Sequence, residues 1–313
     1  MVKVFIPPEF EKKYNALLGN DYTDFIECCK TKPPKSIWVN SLKISPEKIE
    51  KLLSERGVTL KQLPFHENAF EISGIERPGS LPEFEDGLFN LQEKSSMLPA
   101  IALQPFYEKG WRKTAATQLN PEGSEKVLDM CAAPGNKTIQ LATLMEGRGK
   151  ILAIDKNVER FRSLNFNMKK FGLTKSVKTV CANALELDKK NYFDACLLDA
   201  PCSSEGLIRK KADALKNWSQ ELVERKAELQ KKLIVRAFDS IKKGSALVYS
   251  TCSLSPEENE GVIKHLVQKR KIAFDDVKFR GFQMRKGIDG IGYRVLPQDN
   301  NSQAFYLCRV TKP

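Results

Sequence analysis

The chain has 313 residues, of which 41% are hydrophobic and 29% charged, and its formal net charge is +12. No apolar run approaches the ~20 residues that a membrane-spanning helix requires, and the first residues lack the apolar core and cleavage site of a secretion signal. These features exclude a membrane protein and predict a cytoplasmic one, large enough for one large domain or for a large and a small one.

The cysteines indicate reduced thiols rather than a disulfide framework or a metal site. There are eight of them, none in Cys-x-x-Cys spacing, and only two histidines accompany them. Without a secretion signal, we expect no disulfide and no metal. Five cysteines in apolar surroundings are predicted to be small core residues: Cys28, Cys29, Cys181, Cys196 and Cys308. The other three lie beside turn-forming residues at predicted strand ends: Cys131, Cys202 and Cys252.

The positive charge is concentrated in one part of the chain. Residues 1–88 hold 12 Lys/Arg against 14 Asp/Glu, whereas the remaining residues hold 39 against 25, often in adjacent pairs and triplets. Each pair alone is typical of a solvated helix face. Together they favour a polyanion, RNA or DNA, as the partner of the larger part.

The first 88 residues mix helical and strand patterns. FEKKYNALL and SPEKIEKLLSERG predict helices, SIWVNSL predicts a strand, and two further short strands follow. A turn-rich stretch then precedes GLFNLQEKSSMLPA. We therefore predict a small α+β domain over residues 1–88 and a larger domain over residues 89–313. Residues 107–125 are polar, contain two glycines and a proline, and are predicted to form a surface loop.

From Lys126 onward, β-branched apolar runs alternate with amphipathic helical stretches. This alternation predicts parallel βαβ units and an α/β fold with a doubly wound, Rossmann-like sheet, closed by a final strand at residues 302–310. In such sheets, ligands bind beyond the carboxyl ends of the strands. Polar and thiol side chains stand at those ends: Asp129, Cys131, Asp155, Asn183, Asp199, Cys202 and Cys252.

The first of these strands leads into a turn of small residues, VLDMCAAPGNKT, and then into a helix. Small side chains let a ligand approach the backbone, and Asp155, twenty residues after Gly135, can accept hydrogen bonds from ribose hydroxyls. A nicotinamide dinucleotide is disfavoured because the G-x-G-x-x-G fingerprint is absent. S-adenosylmethionine (SAM), a nucleoside without phosphates, fits better, although a strand–turn–helix that binds nothing remains an alternative.

Two thiols are placed at successive strand ends, in DAPCSSEG and in YSTCSLSPEENE. A buried strand-end thiol is the simplest interpretation of either one alone. In the second motif, Ser255, Pro256 and Glu258 fit a capping box, which predicts a helix beginning just after Cys252. The positive end of that helix would favour a thiolate nearby.

The motifs CAAPGNKT, DAPCSSEG and YSTCSLSPEENE, in this order and spacing, resemble the RsmB/RsmF (Nop/Sun-domain) family of SAM-dependent RNA cytosine-5 methyltransferases. The similarity begins near residue 37 with VNSLKIS and extends over the rest of the chain. It implies a methyltransferase catalytic domain over residues 89–313 and an RNA-binding or accessory role for residues 1–88.

The resemblance also implies a role for each matching position. Cys252 matches the nucleophile that attacks carbon 6 of cytosine, and Cys202 matches the residue that assists product release. Asp199 is expected to bind the base, with Lys137 bridging base and cofactor. The residues that match the SAM site are Cys131, Ala132, Ala133, Pro134, Gly135, Asn136, Lys137, Asp155, Asn183 and Asp199. Asn183 stands where the family has an aspartate that approaches the adenine.

Three questions remain open from the sequence. A catalytically silent RNA-binding or assembly factor on the same fold is the alternative to an enzyme. The segment after the boundary, including Phe89 and Gln92, is either an entry for the flipped base or an ordinary hinge. Some segments resemble ribosomal-RNA members, but the short chain resembles compact archaeal members, so transfer RNA is slightly favoured as the substrate. We expect a monomer.

Overall fold

The structure, a computed structural model, describes residues 4–113 and 125–313, without the side chains of residues 104–113. Its first sheet is small and antiparallel, with the strand order β2-β3-β1-β4. The strands are β1 Lys35–Val39, β2 Thr59–Gln62, β3 Ala69–Ser73 and β4 Phe89–Leu91. Helices α3 (Pro46–Ser54) and α4 (Pro82–Glu85) accompany this sheet. Ser45 begins α3 because its hydroxyl accepts a hydrogen bond from the Lys48 amide, and Pro46 takes the first helical position.

Two helices precede the small sheet but do not pack against it. Helices α1 (Pro8–Leu18) and α2 (Tyr22–Cys29) bury Phe10, Tyr14 and Phe25 in a cluster that includes Trp218 and Leu254, far along the chain. The small sheet has its own core. Strand β4 belongs to this sheet although it begins at residue 89, and the domain boundary at residue 88 remains a prediction.

The second sheet has nine strands in the order β11-β12-β13-β9-β8-β5-β6-β7, with β10 paired to β13. Strands β5 to β9 are parallel, and β10 to β13 are antiparallel. Their bounds are β5 Lys126–Asp129, β6 Lys150–Asp155, β7 Val177–Cys181, β8 Phe193–Asp199, β9 Ile241–Thr251, β10 Ala273–Asp275, β11 Arg285–Lys286, β12 Tyr293–Val295 and β13 Phe305–Thr311. The predicted Rossmann-like α/β sheet is confirmed, with an antiparallel extension at one side.

Helices cover both faces of this sheet, as the alternation of strand residues requires. On β8, Leu197 packs into one core with α5, α6 and α7, whereas Leu198 packs into the opposite core with α8 and α9. The helix bounds are α5 Lys94–Lys113, α6 Asn136–Leu144, α7 Val158–Lys170, α8 Gln220–Ser240, α9 Glu260–Lys269 and α10 Pro297–Asn300. Among the described residues, no helix is long and apolar enough to cross a membrane.

Two local predictions were wrong. Helix α5 continues to Lys113, so residues 107–113 are helical rather than part of a loop, and residues 114–124 of that loop lie outside the described part of the chain. The thiol of Cys181 is exposed rather than in the core, because β7 is the edge strand of the sheet. Cys29, Cys196 and Cys308 are buried as predicted, and Cys28 is half-buried.

The small sheet is joined to the large domain by a buried hydrogen bond. The Trp38 Nε1–H on β1 donates to Thr143 Oγ1 on α6 at 2.9 Å, and Trp38 is fully buried. We predict that Thr143→Val, which leaves this donor without a partner, lowers the free energy of unfolding by about 1–3 kcal/mol. Urea titration measures the loss. Thr143→Ser keeps the hydroxyl and is the control; equal stability of the two variants would contradict the prediction.

Candidate active site

The predicted cofactor turn lies between β5 and α6. The Ala132 amide donates to Ile154 O at 2.9 Å, and the Gly135 amide donates to Ala132 O at 2.8 Å, so the turn is fixed against β6. Gly135 has a φ of 109°, which only glycine adopts readily. A Cβ there would approach the side chains of Met168 and Leu164 on α7 to about 3 Å, so the turn and α7 pack closely.

Asp155 ends β6 at the edge of this turn and is almost fully buried. One of its carboxylate oxygens accepts from the Ala133 amide at 3.2 Å and the other from the Asn157 amide at 3.0 Å. Arg160 lies 3.7 Å from the carboxylate and also donates to Ala133 O. Since each carboxylate oxygen has two lone pairs, Asp155 can accept further hydrogen bonds from a ligand.

A cavity of about 210 Å³ opens beside Asp155 at the carboxyl ends of the parallel strands. Its walls include Cys131, Asp155 and Asn183, with Leu229 and Leu233 of α8 on the apolar side. Asn183 begins a short turn by accepting from the Leu185 amide at 3.2 Å.

Asp129, at the end of β5, is a buried acid that was not among the predicted site residues. Thr138 Oγ1 donates to its Oδ2 at 2.6 Å, while its Oδ1 has no hydrogen-bond partner among the described residues. Burial raises the pKa of Asp129 to about 7, and the nearby Asp199 adds to this effect, whereas Thr138 and Lys137 oppose it. Its position at a strand end before the small-residue turn was the available sequence signal.

Lys137 and Asp199 form an ion pair between the cofactor turn and the end of β8. The Lys137 ammonium lies 2.7 Å from Asp199 Oδ2, and Ser250 Oγ donates to Asp199 Oδ1 at 2.7 Å. Ser250 is opposite Asp199 in the parallel register of β8 and β9. Lys137 also lies over the Phe305 ring, 5.6 Å from its centroid.

The two thiols meet where β8 and β9 end. Cys202 Sγ and Cys252 Sγ are 3.2 Å apart, within hydrogen-bond range for sulfur. The hydrogen bond from Cys202 lowers the pKa of Cys252; Ser204 and Lys137 act in the same direction, and burial and Asp199 oppose them. The same hydrogen bond raises the pKa of Cys202. The pair therefore favours one thiolate, on Cys252.

The helix predicted to begin just after Cys252 is not there. Helix α9 begins at Glu260, and its first residues have no side-chain cap. The Ser255 hydroxyl instead bonds Glu205 and Tyr14, and the Glu258 carboxylate accepts from Gln230 Nε2 and from the amide of Ser203. The capping box was wrong because these side chains find tertiary partners, so the thiolate is favoured by a hydrogen bond rather than by a helix terminus.

The structure thus sorts the predicted site residues into groups. Lys137, Asp199, Cys202 and Cys252 come together through direct contacts or ion pairs, as described above. Cys131, Asp155 and Asn183 line the cavity, and burial raises the pKa of the Cys131 thiol. Ala132, Ala133, Pro134 and Gly135 form the turn. Asn136 is different: its Nδ2 donates to Leu91 O of the small sheet at 3.4 Å.

The predicted base entry is not supported by the residues named for it. Phe89 is fully buried in the core of the small sheet. Gln92 is also buried, and its Nε2 donates to Gln140 Oε1 of α6 at 2.5 Å. Gln92 thus joins the small sheet to α6, whereas Phe89 packs within the small sheet's own core. The described residues contain no group of three or more Cys, His, Asp or Glu side chains that could hold a metal ion.

Comparison with known proteins agrees with the three motifs. Residues 116–311 match the family described as 16S rRNA methyltransferase RsmB/F, and residues 6–94 match the N-terminal domain of 16S rRNA methyltransferase RsmF. The chain belongs to the RsmB/F family. The ribosomal RNA small subunit methyltransferase F of Vibrio vulnificus (strain YJ016) is 37% identical over 325 residues, covering 99% of this chain. The protein of the same name from Erwinia tasmaniensis is 35% identical over 325 residues. The chain spans 64% of the length of each of these two relatives.

Solved structures share the whole fold. A methyltransferase homolog protein from Pyrococcus horikoshii matches with a TM-score of 0.78 at 30% identity, covering 98% of this chain and 96% of that one. NSun6 from Pyrococcus horikoshii, solved with SFG, matches with a TM-score of 0.84 at 24% identity, covering 100% and 99%. Membership of the RsmB/F family confirms the predicted resemblance. The roles of individual residues remain predictions.

The buried carboxyl of Asp129 generates a prediction for this RsmB/F protein. Its pKa of about 7 lies above the ~3.9 of an unfolded aspartate, so between these values the folded state binds the extra proton. The contribution of Asp129 to stability is thus full below about pH 4 and is lost as the pH rises through 7. Asp129→Asn, a neutral isostere, should gain stability relative to the wild type over that range. Urea titrations at several pH values measure the difference, and a difference that does not change with pH would contradict the prediction.

Proposed function

We propose that this protein transfers a methyl group from SAM to carbon 5 of a cytosine in structured RNA, through a covalent bond between Cys252 and carbon 6. The observation that carries the proposal is the pair of thiols 3.2 Å apart, beside the Lys137–Asp199 ion pair and next to the cavity lined by Cys131, Asp155 and Asn183. Packing alone does not account for two thiols and an acid at the ends of two adjacent strands, with a lysine from the first turn of α6 paired to the acid.

The cavity fits the nucleoside part of SAM. The Asp155 carboxylate, already oriented by two backbone amides, would accept from the ribose hydroxyls. Asn183, in the cavity wall, would accept from the adenine amine. When bound, SAM supplies an electrophilic methyl group. The chain's own residues have to make the cytosine reactive toward it.

Cys252 supplies that activation. Carbon 5 of cytosine is a weak nucleophile, and addition of a thiolate to carbon 6 converts the ring into an enamine whose carbon 5 is electron-rich. The Cys202 hydrogen bond, which lowers the pKa of Cys252, supplies the thiolate. After methylation, removal of the carbon 5 proton restores the double bond and expels the Cys252 sulfur. Cys202 Sγ lies 3.2 Å from the sulfur that must leave, and we assign Cys202 to this release.

Asp199 and Lys137 would orient the base. Asp199 already accepts one hydrogen bond on each oxygen, and each oxygen keeps a lone pair for the exocyclic amine of cytosine. Lys137 neutralises this carboxylate and fixes its direction. A fixed acceptor for the amine would select cytosine over uracil, whose carbonyl at the same position cannot donate.

Charge around the thiols supports RNA as the partner. The loop that carries Cys202 continues into Arg209, which is buried and donates to the carbonyls of Thr31 and Ser302. The next two residues, Lys210 and Lys211, are exposed. A rigidly anchored basic loop beside the site would hold phosphates next to the target base.

The relatives' names support small-subunit ribosomal RNA as the substrate class, whereas transfer RNA remains a prediction from the sequence. We expect 5-methylcytosine to disappear from 16S ribosomal RNA in a strain that lacks this protein. Bisulfite sequencing of total RNA from the deletion strain and its parent measures this. Complementation with the wild-type chain is the control. Loss confined to transfer RNA would support the other substrate.

Single substitutions of the two thiols test the mechanism. Cys252→Ala should lose both methyl transfer and any covalent protein–RNA complex, because the proposed bond to carbon 6 is formed by the Cys252 sulfur. Cys202→Ala should attack and methylate but fail to release, so a denaturation-resistant complex should accumulate on gels. Cys28→Ala, which removes a half-buried thiol of the N-terminal helix α2, is the control and should behave as the wild type.

The opposite pattern would exchange the two roles: a complex that accumulates in Cys252→Ala and is absent from Cys202→Ala. Full turnover in both variants would show that the thiols are structural. Wild-type RNA binding without any methyl transfer would identify the catalytically silent factor instead.

A further inference from the structure

The loops that follow the two thiols are bound to each other by two carboxylates and one glycine. One of the carboxylates is Glu258, which accepts from the amide and the hydroxyl of Ser203. The Gly206 amide donates to Cys252 O at 2.7 Å. The neighbouring Glu205 directs Oε2 at the other loop, where it accepts from the amides of Leu254 and Ser255 at 2.9 and 3.0 Å and from Ser253 Oγ at 2.9 Å. Glu205 is three residues after Cys202 and binds the three residues after Cys252.

Gly206 shows how closely the loops approach. A Cβ at this position would overlap Ala304 O and lie 2.9 Å from Cys252 O, so the backbone there has no room for a side chain. The backbone contact and the Glu205 hydrogen bonds therefore fix Cys252 relative to Cys202.

The second carboxylate oxygen of Glu205 also accepts two hydrogen bonds. Oε1 accepts from Trp218 Nε1 at 2.5 Å and from Ser255 Oγ at 2.8 Å. Glu205 is completely buried, and none of the described cations lies within ion-pair distance of it. A buried carboxylate without a cation is costly unless donors surround it, and five donors do so here. Such a group holds its donors in fixed directions.

Helix α1 completes this support from the other side. Tyr14 Oη lies 2.7 Å from Ser255 Oγ, and Lys13 Nζ lies 3.0 Å from the Glu257 carboxylate. The Phe10 ring packs edge-on against Trp218, with 5.4 Å between the ring centroids. The N-terminal helix therefore packs against the loop of Cys252, although it precedes the small sheet in the chain.

We propose that Glu205 is a positioning residue that holds the Cys252 loop against the Cys202 loop, and that Tyr14 of α1 supports it through Ser255. The effect of this positioning on methyl transfer rests on the proposed function. Its effect on the placement of the two thiols does not depend on that function.

A positioning role and a purely electrostatic role change Cys252 in opposite directions. Cys202, Ser204 and Lys137 lower the pKa of Cys252, and Asp199 raises it. If the loops separate, Cys252 loses the hydrogen bond from Cys202 and its pKa rises. If Glu205 acts only through its negative charge, removing that charge lowers the pKa of Cys252. The sign of the shift distinguishes the two.

The experiment measures alkylation of individual cysteines by iodoacetamide as a function of pH, using peptide mass spectrometry on the full chain. In Glu205→Gln we expect the apparent pKa of Cys252 to rise and its alkylation rate near neutral pH to fall at least fivefold. The exposed Cys181 is an internal reference and should not change. The buried Cys196 and Cys308 should stay protected, which shows that the variant is folded.

Glu83→Gln is the matched control, because Glu83 is a buried carboxylate of the small domain, bound by Arg56. It should leave Cys252 unchanged. Tyr14→Phe should shift Cys252 in the same direction as Glu205→Gln but less. If Glu205→Gln fails to fold, Ser255→Ala carries the test with the same expected sign. An unchanged or lowered pKa of Cys252 in a folded variant would overturn the proposal.

Alkylation needs neither RNA nor SAM, so this test is independent of the proposed function. A wild-type protein that transfers no methyl group, combined with the expected shift in Glu205→Gln, would reject the function and keep the positioning role. If methyl transfer is found, Glu205→Gln should lower kcat at least tenfold while KM for RNA stays within about twofold. A rise in KM alone, with kcat unchanged, would count against positioning.

Discussion

The parallel pairing of β8 and β9 is the constraint on which the site depends. Their register places Asp199 opposite Ser250, so both strands end at the same edge of the sheet. Cys202 follows the first end by three residues and Cys252 follows the second by one. Antiparallel strands would have sent these two ends to opposite edges. The thiols can meet at 3.2 Å only because the strands run in the same direction and are neighbours.

The surroundings of the two thiols disfavour a negative charge, so a thiolate on Cys252 needs a specific interaction that stabilises it. Burial and Asp199 both act against ionisation of Cys252, and Asp129 close by keeps its own proton up to about pH 7. Lys137 is paired with Asp199 and offers limited compensation. The hydrogen bond from the Cys202 thiol is therefore the main interaction that lowers the pKa of Cys252. Two cysteines in such a site are more useful than one, because the protonated partner stabilises the ionised one.

The parts of the chain outside the large sheet hold the site from two directions. Helix α1 packs on the loop of Cys252 through Tyr14 and the cluster around Trp218. The small sheet contacts α6, the helix that follows the cofactor turn, through the Trp38–Thr143 hydrogen bond. A substrate that binds across the N-terminal residues and the large domain would therefore touch elements that contact the Cys252 loop and the helix that follows the cofactor turn.

The sequence by itself determined the pattern of parallel strands and the positions of the motif residues at their ends, while the chemical roles of these residues stay predictions. Apolar runs that alternate with amphipathic stretches specified the parallel strands, because the periodicities of strands and helices differ and can be read from a short stretch of sequence. The motifs specified the cofactor turn and the thiols.

Tertiary structure decided what local pattern cannot encode. Ser255 and Glu258 form a plausible cap in sequence, yet Glu205, Gln230 and Tyr14 supply stronger partners from distant parts of the chain. Likewise, the exposure of Cys181 follows from β7 being an edge strand, and the contact of α1 with the Cys252 loop follows from a core shared over more than 200 residues. Strand order and long-range hydrogen bonds arise only when the whole chain packs, so no local window of the sequence contains them.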